Sequence, residues 1–176
     1  MTHRLGSFAL VLGGVGWVAF ALALAGQVYG STATLRLARP AEALSSTHRS
    51  GADAAPYLAA AVVLTLLGLT LLYRRAAWVA GAWGKASVVL LALGVLLLMP
   101  WPGLFVGGFG FILGMLALAI TSLRTGLLSR SAAAMLIAAA ILMFFFNTED
   151  DRALLAIAPG VAFLALGARS FMSAGD

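Results

Sequence analysis

The chain has 176 residues, 62% of them hydrophobic and 10% charged, with a mean hydropathy of +1.05; a water-soluble domain is about a quarter charged, so that class is excluded and one integral membrane domain over 1–176 remains. There is no cysteine, which excludes a disulfide framework, a thiol nucleophile and a thiolate metal site. The net charge of +5 comes from eleven Lys and Arg scattered at segment ends, a pattern that points to membrane topology and anionic lipid, not to nucleic acid.

The first apolar run, about 5–26, carries no charge. A span of this kind needs about 20 residues at ~1.5 Å each. It also exceeds the ~7–15 residues of a signal-peptide core, although Ala23-Leu24-Ala25 has the look of a cleavage site, so it is read as a first transmembrane helix. Gly6, Ala9, Gly13 and Gly16 draw a small-residue stripe along it, continued by Phe20, Ala23 and Gln27. Small residues let helix backbones approach closely in lipid, where the gain is van der Waals contact. The fourth span is the expected close partner of this stripe.

The 27–55 segment is the one long polar connection, with Arg36, Arg39, Glu42, His48, Arg49 and Asp53. A connection of that length is more often functional than accidental. Pro40 suits the first turn of a short helix, and 34–39 alternates polar and apolar residues as a short strand would. Asp53 suits an N-cap for the second span, about 57–73, with Pro56 in its first turn. That span stops at Arg74-Arg75. The 76–85 stretch, with Trp78, Gly81, Trp83, Gly84 and Lys85, reads either as a helix lying at the surface or as the tilted start of the third span, 86–99, with Lys85 snorkelling.

Residues 86–122 are too long for one crossing, and Pro100-Trp101-Pro102-Gly103 supplies a tight turn. The third span and the fourth, 103–122, therefore form an antiparallel hairpin. Gly103, Gly107, Gly110, Gly114, Ala117 and Thr121 recur along the fourth at steps of three and four, one stripe on one helix face. In water so many glycines would weaken a helix; in lipid they make this the element against which others pack. The fifth span is 132–146, with Arg130 able to snorkel before it. The sixth is 153–168, with small residues at Ala153, Ala156, Gly160 and Gly167. Pro159 lies inside it and is expected to kink it.

The fold expected is thus all-α, a polytopic bundle of six transmembrane helices. With the N-terminus cytoplasmic, that side holds Arg4, Arg74, Arg75, Lys85, Arg124, Arg130 and Arg169, and the other holds Arg36, Arg39, Arg49 and Arg152; the bias places both termini inside a cell (inner) membrane. Tyr29, Tyr57 and Trp101 then mark the outer interface and Tyr73, Trp78 and Trp83 the inner one.

No Asp, Glu, Lys, Arg or His falls in the middle of a span. Pumps and proton-coupled carriers need such groups at depth, and a haem held within a span needs an axial ligand such as His there. No cofactor is expected. The polar groups near or in the bilayer are Thr65, Thr70, Ser87, Thr121, Ser122 and Gln27, which are expected to bond to backbone or to a neighbouring helix. The acidic turn Glu149, Asp150 and Asp151 has the oxygen chemistry of a hard-cation site, but without a second cluster it reads as an outward charge marker and an N-cap for the sixth helix. His3 and His48 stand in aqueous segments, each short of the three or four ligands that zinc requires. No catalytic triad, nucleotide fingerprint or phosphate-binding glycine loop is present, and Gly107-Gly108-Phe109-Gly110 lies in an apolar span where a phosphate would be desolvated. Trp17, near mid-membrane, faces lipid, packs against Gly13 and Gly14, or walls an apolar pocket. Phe144, Phe145 and Phe146 cannot all face one way on a helix, so at least one meets lipid or a partner.

These features point to a non-catalytic structural or accessory subunit of a larger membrane complex, whose partners are the bilayer and other membrane subunits or a second copy. The alternative is a small-solute transporter component with 27–55 as a lid and the glycine-rich fourth helix or Pro159 as a hinge. A lipid-modifying enzyme is the third reading, built on the acidic turn and His48. No motif in the chain identifies a family.

Overall fold

The computed structural model describes residues 2–29, 54–79, 81–98, 104–126, 128–146 and 151–172. They form α1 (Thr2–Tyr29), α2 (Ala55–Val79), α3 (Gly81–Leu97), α4 (Leu104–Thr125), α5 (Arg130–Phe144), a 3-10 segment (Asp151–Ala156) and α6 (Ile157–Met172). The chain is all-α among the described residues, and each expected span is met by one helix. Three stretches, Arg4–Ala25, Gly107–Thr125 and Arg152–Met172, are long and apolar enough to cross a membrane; Ala55–Leu71, Gly81–Leu97 and Arg130–Phe144 are shorter apolar helices. The composition of these helices marks a membrane protein.

Each helix is antiparallel to the neighbours for which a register can be read. Gly13 and Gly16 of α1 lie against Thr65 and Ala61 of α2, and Gly68 lies against Leu10. Gly14 lies against Gly160 of α6, and Gly167 against Ser7 and Val11. Gly94 of α3 meets Gly110 and Phe111 of α4, and Gly114 meets Leu91. Helices adjacent in the chain pack on one another, and α6 returns to α1, so the six close into a cycle. The N-terminal end of α1 and the C-terminal end of α6 are therefore at the same end of the bundle.

Two expectations are corrected. The stripe on α1 does not seek α4: α1 sits between α2 and α6, while α4 packs chiefly on α3 and α5. Both flanks of α1 carry glycine, and a helix with two narrow flanks fits between two neighbours. The helix of the second span continues past Arg74-Arg75 to Val79, since a charged residue can end a membrane span without ending a helix. The 76–85 stretch is the end of α2 and, from Gly81, the first turn of α3, so its reading as the start of the third helix holds for 81–85; Gly81 opens that turn at φ +73°, a backbone region that favours glycine. Trp83 is 81% exposed there.

The second correction concerns Pro159. It does not kink the middle of a helix; it is the third residue of α6. The chain runs as a 3-10 helix through Ala156 and turns α-helical at Ile157. In the first turn of an α-helix the N–H has no intrahelical acceptor, so the missing donor costs little.

Polar atoms at helix ends are matched locally. Gly126, at φ +69°, closes α4 by donating its N–H to the Ser122 carbonyl at 2.9 Å. Ser129 caps α5: its Oγ accepts from the Ala132 N–H at 3.3 Å. The α2 start is closed by Tyr57 and Leu58, whose N–H groups donate to the Ala54 carbonyl at 3.1 Å, with Pro56 in the first turn as expected. Asp53, expected as the cap, lies outside the described residues, as do Pro100 to Gly103 and most of the 27–55 connection.

Candidate functional site

The glycine seams are the most constrained feature of the molecule. A Cβ built on Gly13 would sit 2.7 Å from Thr65 Oγ1 and 2.8 Å from the Thr65 nitrogen; on Gly16 it would sit 2.9 Å from Ala61 Cα. On Gly14 it would sit 2.6 Å from the Gly160 carbonyl oxygen, and on Gly167 2.7 Å from that of Ser7. In the α3–α4 hairpin, a Cβ on Gly107 would meet the Leu97 carbonyl at 2.6 Å, and one on Gly94 or Gly114 would run into the backbone of Phe111 or Leu91. Most of these obstacles are main-chain atoms, which cannot swing aside as a long side chain can. Helix backbones touch along all three pairs, α1–α2, α1–α6 and α3–α4, and dispersion forces act over their length.

Of the packing residues named from sequence, Gly13 and Gly16 face α2, and Gly107, Gly110 and Gly114 face α3. Gly6 and Ala9 are buried and Ala117 is half-buried. Gly103 is outside the described residues. Gly68 and Gly94 were not anticipated, and Gly14 was weighed only as a neighbour of Trp17. The signal for Gly68 and Gly94 was a lone glycine in a leucine-rich helix, which costs helix propensity and so implies a packing reason.

At the centre the seams give way to large side chains. Trp17 is 1% exposed and stacks on Phe111 of α4, with ring centroids 5.1 Å apart and planes at 15°. Phe111 in turn lies 6.3 Å from Phe163 of α6, and Phe20 meets Trp17 edge-on at 6.1 Å. The Trp17 indole N–H donates to Thr65 Oγ1 of α2 at 3.3 Å. Trp17 therefore faces neither lipid nor only its own helix's glycines: it joins α1, α2 and α4. An indole this deep needs a partner for its one donor, and Thr65 supplies it.

Two of the other buried hydroxyls bond to their own helices. Ser87 donates to the Gly84 carbonyl at 2.9 Å and Ser122 to that of Leu118 at 2.6 Å. Thr121 is buried, and its carbonyl accepts from Thr125 Oγ1 at 2.8 Å. Ser7, wholly buried on α1, was missing from the sequence-derived set. Thr70 is exposed, and the Gln27 side chain lies outside the described residues. The buried polar residues among those described are hydroxyl-bearing only.

Among the described residues, no three His, Asp or Glu side chains come together in a way that could hold a metal ion. Glu149, Asp150 and His48 fall outside the described residues. Asp151 opens the 3-10 segment, and its side chain also falls outside them. At the far end of α5, Phe144 and Phe145 are 63% and 57% exposed, whereas Phe146 turns in toward Phe20 at 6.5 Å. Phe144 also meets Phe109 of α4 edge-on at 6.5 Å. The triplet thus splits, two rings outward and one inward, with Phe144 ending α5, Phe145 at its C-cap and Phe146 beyond it.

What this arrangement can do chemically is hold helices together and present apolar faces. No protein-family model, no curated protein and no solved structure matches the chain.

Proposed function

We propose that this chain is a non-catalytic protein of the cell membrane, a structural or accessory subunit that packs within a larger membrane protein assembly or against a second copy of itself. All six helices cross the bilayer, with both termini on the cytoplasmic side. The observation that carries the reading is the filled centre: Trp17, Phe111 and Phe163 occupy the place where a carrier would need room or an ionisable group. Other apolar rings, Phe8, Phe109, Phe144, Phe145 and Phe171, are turned outward.

The experiment is extraction of the full chain from its native membrane in a mild detergent, followed by mass determination of the intact particle. Stoichiometric partner subunits or a discrete oligomer of the chain are expected. A chain that leaves the membrane alone in every mild detergent removes the proposal. A monomer whose melting temperature rises with one small solute replaces it with the transporter reading, in which 27–55 is the lid. The switch from 3-10 to α-helix before Pro159 is the observation that favours that second reading, because transporter sites often use interrupted helices.

A further inference from the structure

We propose that the end of the bundle formed by the start of α1, the α2–α3 junction, the α4–α5 connection and the end of α6 binds the headgroups of anionic phospholipids. The antiparallel registers place Arg4, Lys85, Arg124, Arg130 and Arg169 at this one end, and Arg4, Arg124, Arg130 and Arg169 are exposed. The α5–α6 contact is direct: Arg169 Nη1 donates to Ser131 Oγ at 3.3 Å. That bond sets Arg169 of α6 beside Arg130 of α5. Ser131 also shares a hydrogen bond with Ser129 at 3.1 Å, and Ser129 caps the helix. The tight turn at Gly126 holds Arg124 close by in the chain. Guanidinium groups suit phosphodiester oxygens because their planar fork of donors matches two oxygens at once.

Charge along the chain is as lopsided as the structure. Seven basic residues and one acid, Asp176, belong to this end by chain order, against four basic residues and the other five acids at the opposite one. The acids of the opposite end, in the α1–α2 and α5–α6 connections, would repel the lipid that this end attracts. Trp83, 81% exposed at the base of α3, has the amphipathic ring that settles at headgroup level. An apolar bundle that ends in exposed guanidiniums and an exposed indole fits an anionic leaflet.

The test titrates phosphatidylglycerol onto the purified full chain and counts bound lipid by native mass spectrometry, with melting temperature in phosphatidylcholine as the check on folding. Wild type is expected to retain the lipid. Each of Arg124→Gln, Arg130→Gln and Arg169→Gln should weaken binding about fivefold, and the triple variant on the order of a hundredfold. Arg130→Lys with Arg169→Lys, which keeps the charge but loses the two-pronged fork, should bind more weakly than wild type and more tightly than the matching double Gln variant, and Arg152→Gln, at the opposite end, should bind as wild type does. Inorganic phosphate in excess should not displace the lipid. The proposal is overturned if the wild-type chain retains no phosphatidylglycerol, or if the triple variant melts normally and binds undiminished. It is overturned equally if Arg152→Gln loses as much, or if phosphate alone displaces the lipid. If the triple variant does not fold, the single Arg130→Gln variant decides, because Arg130 is exposed.

Discussion

Trp17 joins two interactions that can be separated: a ring stack on Phe111 and one hydrogen bond to Thr65. In lipid the bond is the smaller, because interhelical hydrogen bonds there average about 0.6 kcal/mol. The stack fills space among three helices, and truncating a buried aromatic costs about 3–5 kcal/mol. Trp17→Phe should therefore cost about 0.6 kcal/mol for the bond plus a share of the packing term for the smaller ring, and Trp17→Ala the full packing term as well, read from reversible unfolding in mixed micelles. Equal losses for the two would mean that the bond and not the packing holds the centre. The location of Trp17 was beyond the reach of periodicity. Around Trp17 every face of α1 is apolar, and Ser7, the one hydroxyl within 5–26, lies ten residues away, so no polar neighbour marks which face turns inward there. What decided it was the second neighbour of α1, and that depends on Gly160 and Gly167, some 140 residues away in the chain.

At the scale of the element, the α3–α4 hairpin offers an internally controlled experiment. A Cβ on Gly114 would run into Leu91, whereas one on Gly108, six residues earlier in the same helix, would meet nothing within 4 Å. Both substitutions add one methyl group to the same helix. Gly114→Ala should cost about 1–3 kcal/mol through overpacking, and Gly108→Ala should be neutral or stabilise by up to about 1 kcal/mol through propensity. Comparing the two unfolding free energies cancels most of what lipid and helix propensity contribute, and a Gly114→Ala variant as stable as Gly108→Ala would sink the seam. The seam itself could be read from the sequence, since Gly107, Gly110 and Gly114 keep the three-four spacing. Its hairpin partner followed from chain connectivity. The partner of α1 did not, because a small-residue stripe has no complement code: any smooth helix will fit it. Pro159 misled for a related reason. A proline inside an apolar run looks like a kink until the helix start is known, and that start, after a 3-10 segment, carries no sequence mark.

For the whole molecule, what could be read was the helix count, the polarity of the ends and the apolar character, because these depend on composition and order alone. The number of crossings is a harder matter, because α3 has 17 residues and α5 has 15. At ~1.5 Å per residue, α5 alone spans about 22 Å against a hydrocarbon core of about 30 Å. Leu128 before α5 and Phe145 and Phe146 after it are apolar and extend its reach, and bilayers thin locally around short helices at modest cost. Neighbouring helices of spanning length also flank it: α4 on one side, and α6 with its 3-10 extension on the other. Six crossings are therefore expected, and the absence of cysteine makes them easy to test. If all six helices cross, Ala80→Cys, between α2 and α3, should react with a membrane-impermeant maleimide only in inverted vesicles, and Asn147→Cys, after α5, only in intact cells. If α1, α4 and α6 alone crossed, α1 and α6 would have to run parallel, against the register of Gly14 on Gly160 and Gly167 on Ser7, and the two patterns would exchange: position 80 external and position 147 internal. The two hypotheses thus predict opposite labelling at both sites, and a single pair of variants separates a six-helix membrane bundle from three spans with three helices packed at the surface.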